Sequence, residues 1–284
     1  MTYQYENWML LYQNQSIKDI IIPGSHDSFA SSFKSFSHND LNLPIIFNPI
    51  IKLWAKTQNK TITEQLYNGI RYFDIRIEEY KNTYYTVHSL LSQKLDNILN
   101  EIINFISLYP TEKIILDINH TYNITNNNNF INYLLTKLNN YLIINDINNL
   151  SKPLNELNNN IFLFYGNHYN NNKIFPNYYI NSIWHNTNNI NTLCNNITNE
   201  TLQNNKLNVS QMILTINNSD IIKSILCPLC NNNSLYQLNQ SHYNEMMETL
   251  NNVGIHKNII IMDFITKDFI DLCLELNNSK FNIM

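Results

Sequence analysis

Two histidines, an arginine and three aspartates stand at the ends of short apolar runs in this 284-residue chain, and their chemistry suits phosphoryl transfer. The run Ile20-Ile21-Ile22 stops at Pro23-Gly24 and then delivers His26 beside Asp27. That places a titratable pair at the mouth of a strand, where enzymes built on parallel strands keep their reactive groups. A second run, Gly69 to Ile77, carries Asp74 and Arg76. Side chains alternate along a strand, so these two point one way and Arg71, Phe73 and Ile75 the other. On an inner face Asp74 and Arg76 are either a buried ion pair or an anion site. In the second case Arg76 offers a fork suited to phosphate and Asp74 orients it. A third run ends in His88. Two histidines around one arginine suit a general base and a general acid at a phosphodiester. The last apolar run carries a single acid, Asp263. In a closed barrel the last strand lies beside the first, which brings Asp263 to His26 to hold its tautomer. Read in isolation, Asp263 is equally an N-cap or a turn acid.

The elements that must position these groups follow from periodicity. Strands are expected over residues 18–23, 70–77, 84–88, 113–119, 161–165, 180–184, 211–216 and 258–264. Helical spacing marks 94–108, 130–142, 235–253 and 269–276, with Pro110 closing the first. The stretch 150–208 is rich in loops. Strands separated by helices predict a parallel sheet, and about eight of them fit an α/β fold of the (β/α)8 barrel type, in an irregular form. Neither a repeat nor a linker divides the chain, so residues 1–284 are expected to form one domain.

Composition narrows the partners. Hydrophobic residues make up 44% of the chain, charged residues 14%, and the net charge is -4. Without a basic block, nucleic acid is not an expected partner. Abundant Asn, as at residues 126–129, reads as loop and solvent-face filling. The start of the chain lacks a basic, apolar leader, and no run reaches the ~20 residues of a membrane span. A cytoplasmic monomer with peripheral membrane contact is the expectation. Cys227 and Cys230 form a lone CxxC without a second pair, which argues for reduced thiols over a zinc or redox centre.

The ordered motifs carry a resemblance. Ile22-Pro23-Gly24-Ser25-His26-Asp27, then Gln65 through Arg76, then Val87-His88, are similar to the X domain of phosphatidylinositol-specific phospholipase C. Pro110 through His120, Trp184-His185-Asn186-Thr187 and Asn258 through Phe264 also resemble segments of X-domain-containing proteins. The similarity runs from about Trp8 to Leu274. It implies a distorted TIM barrel that cleaves a glycerophospholipid on the diacylglycerol side of its phosphate. His26 would be general base toward the inositol 2-hydroxyl, forming a cyclic inositol phosphate, and His88 general acid toward the diacylglycerol oxygen. Arg76 would stabilise the phosphate. Asp27 would support His88 and Arg76, Asp74 would position both, and Asp263 would orient His26. Animal signalling relatives bind Ca²⁺, with Asn after the first His and Asp where Arg76 stands. Asp27 and Arg76 therefore resemble the bacterial type, for which no cofactor and no metal are expected.

Ser89 replaces the Gly that usually follows the second His, a strained fit if that turn needs positive φ. Asn119, His120 and Trp184 are candidate headgroup contacts at strand ends. Residues 35–60 are apolar, edged by Lys52, Lys56 and Lys60, and include Ile46, Phe47 and Trp54. They fit shallow insertion into a phospholipid surface, or a cover packed over the barrel. Two rival functions stay open: a phosphodiesterase for another headgroup, and a non-catalytic lipid-binding barrel.

Overall fold

Isoleucine-rich strands curl into most of a parallel barrel, and a glycine lets them approach. The computed structural model describes residues 4–34, 44–166, 171–217 and 233–283. Among these the strands are β1 (Ile22–Ser25), β2 (Tyr72–Tyr80), β3 (Thr83–His88), β4 (Leu90–Lys94), β5 (Ile114–Tyr122), β6 (Ile161–Tyr165), β7 (Ile180–Ile183), β8 (Leu207–Met212) and β9 (Ile259–Met262). Parallel ladders run in the order β6-β5-β2-β1-β9-β8-β7. β1 sits between β2 and β9 at Gly24, where a Cβ would meet Ile261 Cγ2 at 2.8 Å and Tyr72 at 3.0 Å. No larger residue fits that crossing without displacing a strand.

The expected eight-strand parallel barrel is corrected in two places. β3 is not a parallel stave. It turns back on the far end of β2 through Lys81 and Asn82, whose φ angles of 50° and 57° suit a two-residue hairpin, and then pairs antiparallel with β4. Seven parallel strands remain, and among the described residues no ladder joins β6 to β7. β8 begins four residues before the expected 211–216. Asn208 and Ser210 hide its alternation, because Asn208 bonds to Gln203 and Lys206 and Ser210 to Glu200 instead of facing water.

The helices are α1 (Asn48–Ala55), α2 (Ile62–Tyr67), α3 (Leu95–Leu108), α4 (Asn127–Leu138), α5 (Ile190–Thr198), α6 (Leu235–Ser241), α7 (Tyr243–Val253) and α8 (Lys267–Phe281). α2 starts with a capping box, Thr61 against Glu64. The long helix expected over 235–253 breaks at His242, whose φ of -122° is not helical. α3 buries Leu95, Ile98, Leu99, Ile102, Phe105 and Ile106 against the sheet, as its spacing predicts.

Opposite the strand ends that carry the histidines, Arg71 closes the other side of β2. Its Nε lies 2.7 Å from Glu112 Oε2, and both side chains are fully buried. Its terminal nitrogens donate to the carbonyls of Leu66, Ile70, Tyr5 and Glu6. Glu112→Ala would strand a buried guanidinium, with an expected loss of about 3–5 kcal/mol of stability. Urea titration checks this, and a loss below about 1 kcal/mol would contradict the pairing.

Candidate active site

Register alone gathers the site. Ser25 pairs with Met262 and with Phe73, so the next residues, His26, Asp263 and Asp74, emerge side by side at the same sheet edge. His26 Nδ1 lies 2.8 Å from Asp263 Oδ1. Its Nε2 lies 3.2 Å from Asp27 Oδ2 and 3.5 Å from an Arg76 terminal nitrogen. The same Asp27 Oδ2 stands 3.3 Å from His88 Nε2, and Asp27 Oδ1 stands 2.7 Å from Arg76 Nε. Asp27 is thus the hub between both histidines and the arginine. Its oxygens make charge contacts here and no aligned hydrogen bonds. The Ala55 carbonyl, 2.7 Å from His88 Nδ1, accepts from that ring, so His88 Nε2 is the nitrogen presented to the centre.

Asp74 sits beneath the Asp27 turn. It accepts from the Asp27 backbone amide at 3.2 Å and from the Asn119 amide, and lies 3.8 Å from His26 Nε2. Through these contacts it holds the Asp27 turn, and its charge also acts on the neighbouring Arg76. Asn119 reaches it through a register shift in the β2–β5 ladder, after which Arg76 pairs with His120. Asn119 is therefore committed to Asp74 on one side and, through Oδ1, to His120 Nδ1 at 2.8 Å on the other. His120 is exposed at the cleft lip. Trp184 is 59% exposed on the opposite lip, its indole N–H donating to Thr215 Oγ1 at 2.8 Å.

The turns at the centre are strained. Asp27, Ser89 and Phe264 each directly follow or belong to the site and have φ of 38°, 56° and 50°. The turn after His88 does need positive φ, and Ser89 occupies it at an energetic cost that glycine would avoid. Two buried glutamines hold the first turn in place. Gln58 Nε2 donates to the carbonyls of His26 and Met262, tying β1 to β9, and Gln65 bridges the Ser25 hydroxyl and the Ser28 carbonyl. Gln65 and Asp117 stand within the motifs that carry the family resemblance, but without a role, and nothing in the sequence marks Gln58 or Asn177. Asp117 pairs with Asp74 in register, accepts from Tyr72 OH at 2.5 Å and from Asn177 Nδ2 at 2.9 Å, and forms part of the cleft floor.

The electrostatics follow from burial and crowding. Burial alone lowers the pKa of His26, but the carboxylates of Asp27, Asp263 and Asp74 outweigh it and raise the pKa to about 9. Burial pulls Asp27 upward, yet His88, Arg76 and His26 together hold it below the ordinary carboxylate range. Asp74 moves the other way, raised by burial and by the neighbouring Asp27 charge. Burial and the charge of Asp74 push Asp117 up to about 7.

His26, Asp27 and Asp74 offer three ligand atoms within 4.8 Å of one another. One of the three, Asp27, already carries the Arg76 guanidinium, whose Nε is 2.7 Å from its Oδ1.

A cavity of about 580 Å³ opens above these groups. Among the described residues that line it, Arg76 is the one guanidinium and no lysine takes part. Its polar lining includes Asp117, Asn119, Asn177, Ser182 and Gln211, and its apolar lining includes Ile51, Trp54, Ile213, Ile216 and Leu235. The expected membrane-facing segment divides accordingly. Ile46 is 80% exposed and Phe47 half-buried, but Trp54 is only 4% exposed. Trp54 packs with Leu235 and Phe264 on the cleft wall, so its expected bilayer contact is corrected. The outward apolar groups of this region are Ile45, Ile46 and Leu53. Leu41 and Leu43 of that segment, and the Cys227–Cys230 motif, lie outside the described residues.

The strand-end cluster lies at the carboxyl ends of an open α/β barrel, and comparison with known proteins places the chain in a family. Residues 22–164 match the model for "Phosphatidylinositol-specific phospholipase C, X domain". The chain belongs to that family. It is 36% identical over 115 residues to a PI-PLC X domain-containing protein of Dictyostelium discoideum, covering 36% of this chain and 20% of that protein. It is 37% identical over 122 residues to human PI-PLC X domain-containing protein 2, covering 38% of this chain and 40% of that protein. It is 32% identical over 121 residues to a 1-phosphatidylinositol phosphodiesterase of Staphylococcus aureus, covering 41% of this chain and 35% of that protein. The matched segments thus span well under half of these relatives. At the level of fold the likeness extends further. A Staphylococcus aureus phosphatidylinositol-specific phospholipase C superposes with a TM-score of 0.73 at 19% identity, covering 96% of this chain and 98% of the other. The Listeria monocytogenes enzyme gives 0.71 at 21% identity, covering 97% and 99%. The fold is therefore the distorted TIM barrel expected from the motifs.

Proposed function

We propose that this chain is a metal-independent phospholipase C that cleaves phosphatidylinositol by general acid–base catalysis. The observation that carries the reading is the placement of Asp27 between His26, His88 and Arg76, with Asp263 behind His26. Asp263 accepts from His26 Nδ1–H, leaving Nε2 to take the proton of the inositol 2-hydroxyl. The hydroxyl oxygen then attacks phosphorus, and the bond from phosphorus to the glycerol oxygen breaks. His88 Nε2–H gives its proton to that oxygen, releasing diacylglycerol and a cyclic inositol phosphate. Arg76 faces the non-bridging oxygens and offsets their charge through the reaction. The 1-phosphatidylinositol phosphodiesterase of Staphylococcus aureus supports the same substrate for this chain.

The cavity lining favours a neutral polyol headgroup. Hydroxyls find amide and hydroxyl partners at Asn177, Ser182 and Gln211, while a further phosphate would meet Asp117 and Asp74 without a lysine or second arginine. Turnover of phosphatidylinositol in EDTA, with the cyclic product identified, tests the reading.

The substrate lies in a bilayer. The exposed groups Ile45, Ile46 and Leu53 beside Lys52 and Lys56 suit shallow contact with its surface. Ile46→Ser is expected to weaken binding to anionic phospholipid vesicles on the order of tenfold, from the lost burial of one large aliphatic side chain. Vesicle sedimentation measures this, and unchanged binding would place the contact elsewhere. No helix among the described residues is long and apolar enough to cross a membrane.

A further inference from the structure

The apolar side of the cavity has no part in the acid–base chemistry. Ile51 and Trp54 of α1, Ile213 and Ile216 after β8, and Leu235 at the start of α6 make up an apolar wall of the cavity, in which Trp54, Leu235 and the half-buried Ile216 pack together. An inositol ring carrying a hydroxyl on nearly every carbon gains nothing from such a surface, because its hydroxyls would lose water without new partners. The wall also has a defined position relative to the reaction. α1 ends at Ala55, whose carbonyl binds His88 Nδ1 at 2.7 Å. Ile51 and Trp54 are therefore on the helix that holds the proposed proton donor to the leaving oxygen. Asp117, Asn177 and Gln211, from β5, the segment before β7, and β8, supply polar lining to the same cavity. On its outer surface the same helix exposes Leu53, and Ile46 just before the helix is exposed as well.

We propose that this wall is a binding subsite for the glycerol-proximal methylenes of the lipid's acyl chains, so that the lipid is drawn partly out of the bilayer along α1 before cleavage. The inference rests on the phospholipase reading above and adds to it a ligand for the apolar half of the cavity. The leaving group of that reaction is a glycerol bearing acyl chains, and it must depart on the His88 side. The outer face of α1 meets the bilayer and the inner face receives what the bilayer releases. The hydrophobic effect favours transfer of each methylene from water to the wall.

The test uses water-soluble substrates kept below their micelle concentrations, so that no interface contributes. kcat/KM is measured for glycerophosphoinositol and for phosphatidylinositols with acetyl, butanoyl and hexanoyl chains. In the wild-type chain kcat/KM is expected to rise about fourfold for each methylene seated, until the wall is filled. Ile216 is half-buried, and Ile216→Asn is expected to reduce the hexanoyl-to-acetyl ratio at least tenfold, while Ile216→Leu keeps it. A wild-type rate independent of chain length, with glycerophosphoinositol still cleaved, overturns the subsite and leaves the phospholipase reading intact. A chain-length dependence unchanged in a folded Ile216→Asn variant also overturns it. Absence of turnover on the whole series overturns both. If Ile216→Asn does not fold, the wild-type series together with Ile216→Ala decides, with an intermediate ratio expected for the alanine variant and an unreduced ratio contradicting the wall.

Discussion

Arg76→Ala is expected to lower kcat for phosphatidylinositol by at least 10²–10³-fold, the range for removing one donor to a developing oxyanion. Two further effects add to that loss. Arg76 Nε sits 2.7 Å from Asp27 Oδ1, so its removal leaves a buried carboxylate facing an anionic substrate. It also removes the one guanidinium among the described cavity residues. Arg76→Lys is expected to recover little. A lysine supplies one point charge, whereas this position needs a fork that binds Asp27 through Nε and leaves terminal nitrogens for phosphate. Steady-state turnover of the alanine and lysine variants checks this. A lysine variant within threefold of wild type would contradict a forked role for Arg76.

His26→Ala is expected to reduce kcat by about 10²–10⁴-fold, as for loss of a general base. The pH dependence is the more specific signature. Three carboxylates raise the pKa of His26 to about 9, so the free centre carries an imidazolium at neutral pH. A base must be neutral. Consequently kcat/KM should climb about tenfold per pH unit from pH 7 and level off near pH 9. Asp263→Asn removes one stabilising charge, so the limb should move to lower pH while kcat falls. Stability runs in the opposite sense. The folded pKa lies above the unfolded value near 6.5, so the His26 contribution is complete below pH 6.5 and is lost as pH rises toward 9. A kcat/KM profile that is flat between pH 7 and 9 in the wild-type chain would contradict His26 as the base.

The site was largely legible because its residues sit at strand ends, where a short apolar run followed by a polar pair is visible in one dimension. His26, Asp27, Asp74, Arg76, His88 and Asp263 all meet in one cluster for that reason. What escaped depends on contacts between distant segments. Gln58 looks like a loop residue and Gln65 like a helix-surface amide until burial turns both into ties between β1, β9 and the turn after His26. Asp117 gains its place only from register with Asp74. Trp54 was misread because a tryptophan near lysines fits a bilayer edge, whereas its face of α1 is set by packing against Leu235 and Phe264. The parallel eight-strand expectation failed at β3, since Lys81 and Asn82 make a hairpin turn without the glycine that usually signals one.

The central claim is that side chains alone drive attack of the inositol hydroxyl on phosphorus. Phosphorus-31 NMR of phosphatidylinositol vesicles treated with the protein in excess EDTA tests it most directly. A cyclic inositol phosphate resonance is expected to grow at the expense of the lipid, and to be absent with His26→Ala. A wild-type reaction that stops on adding EDTA, or that yields only the open monophosphate from its first turnover, would contradict it.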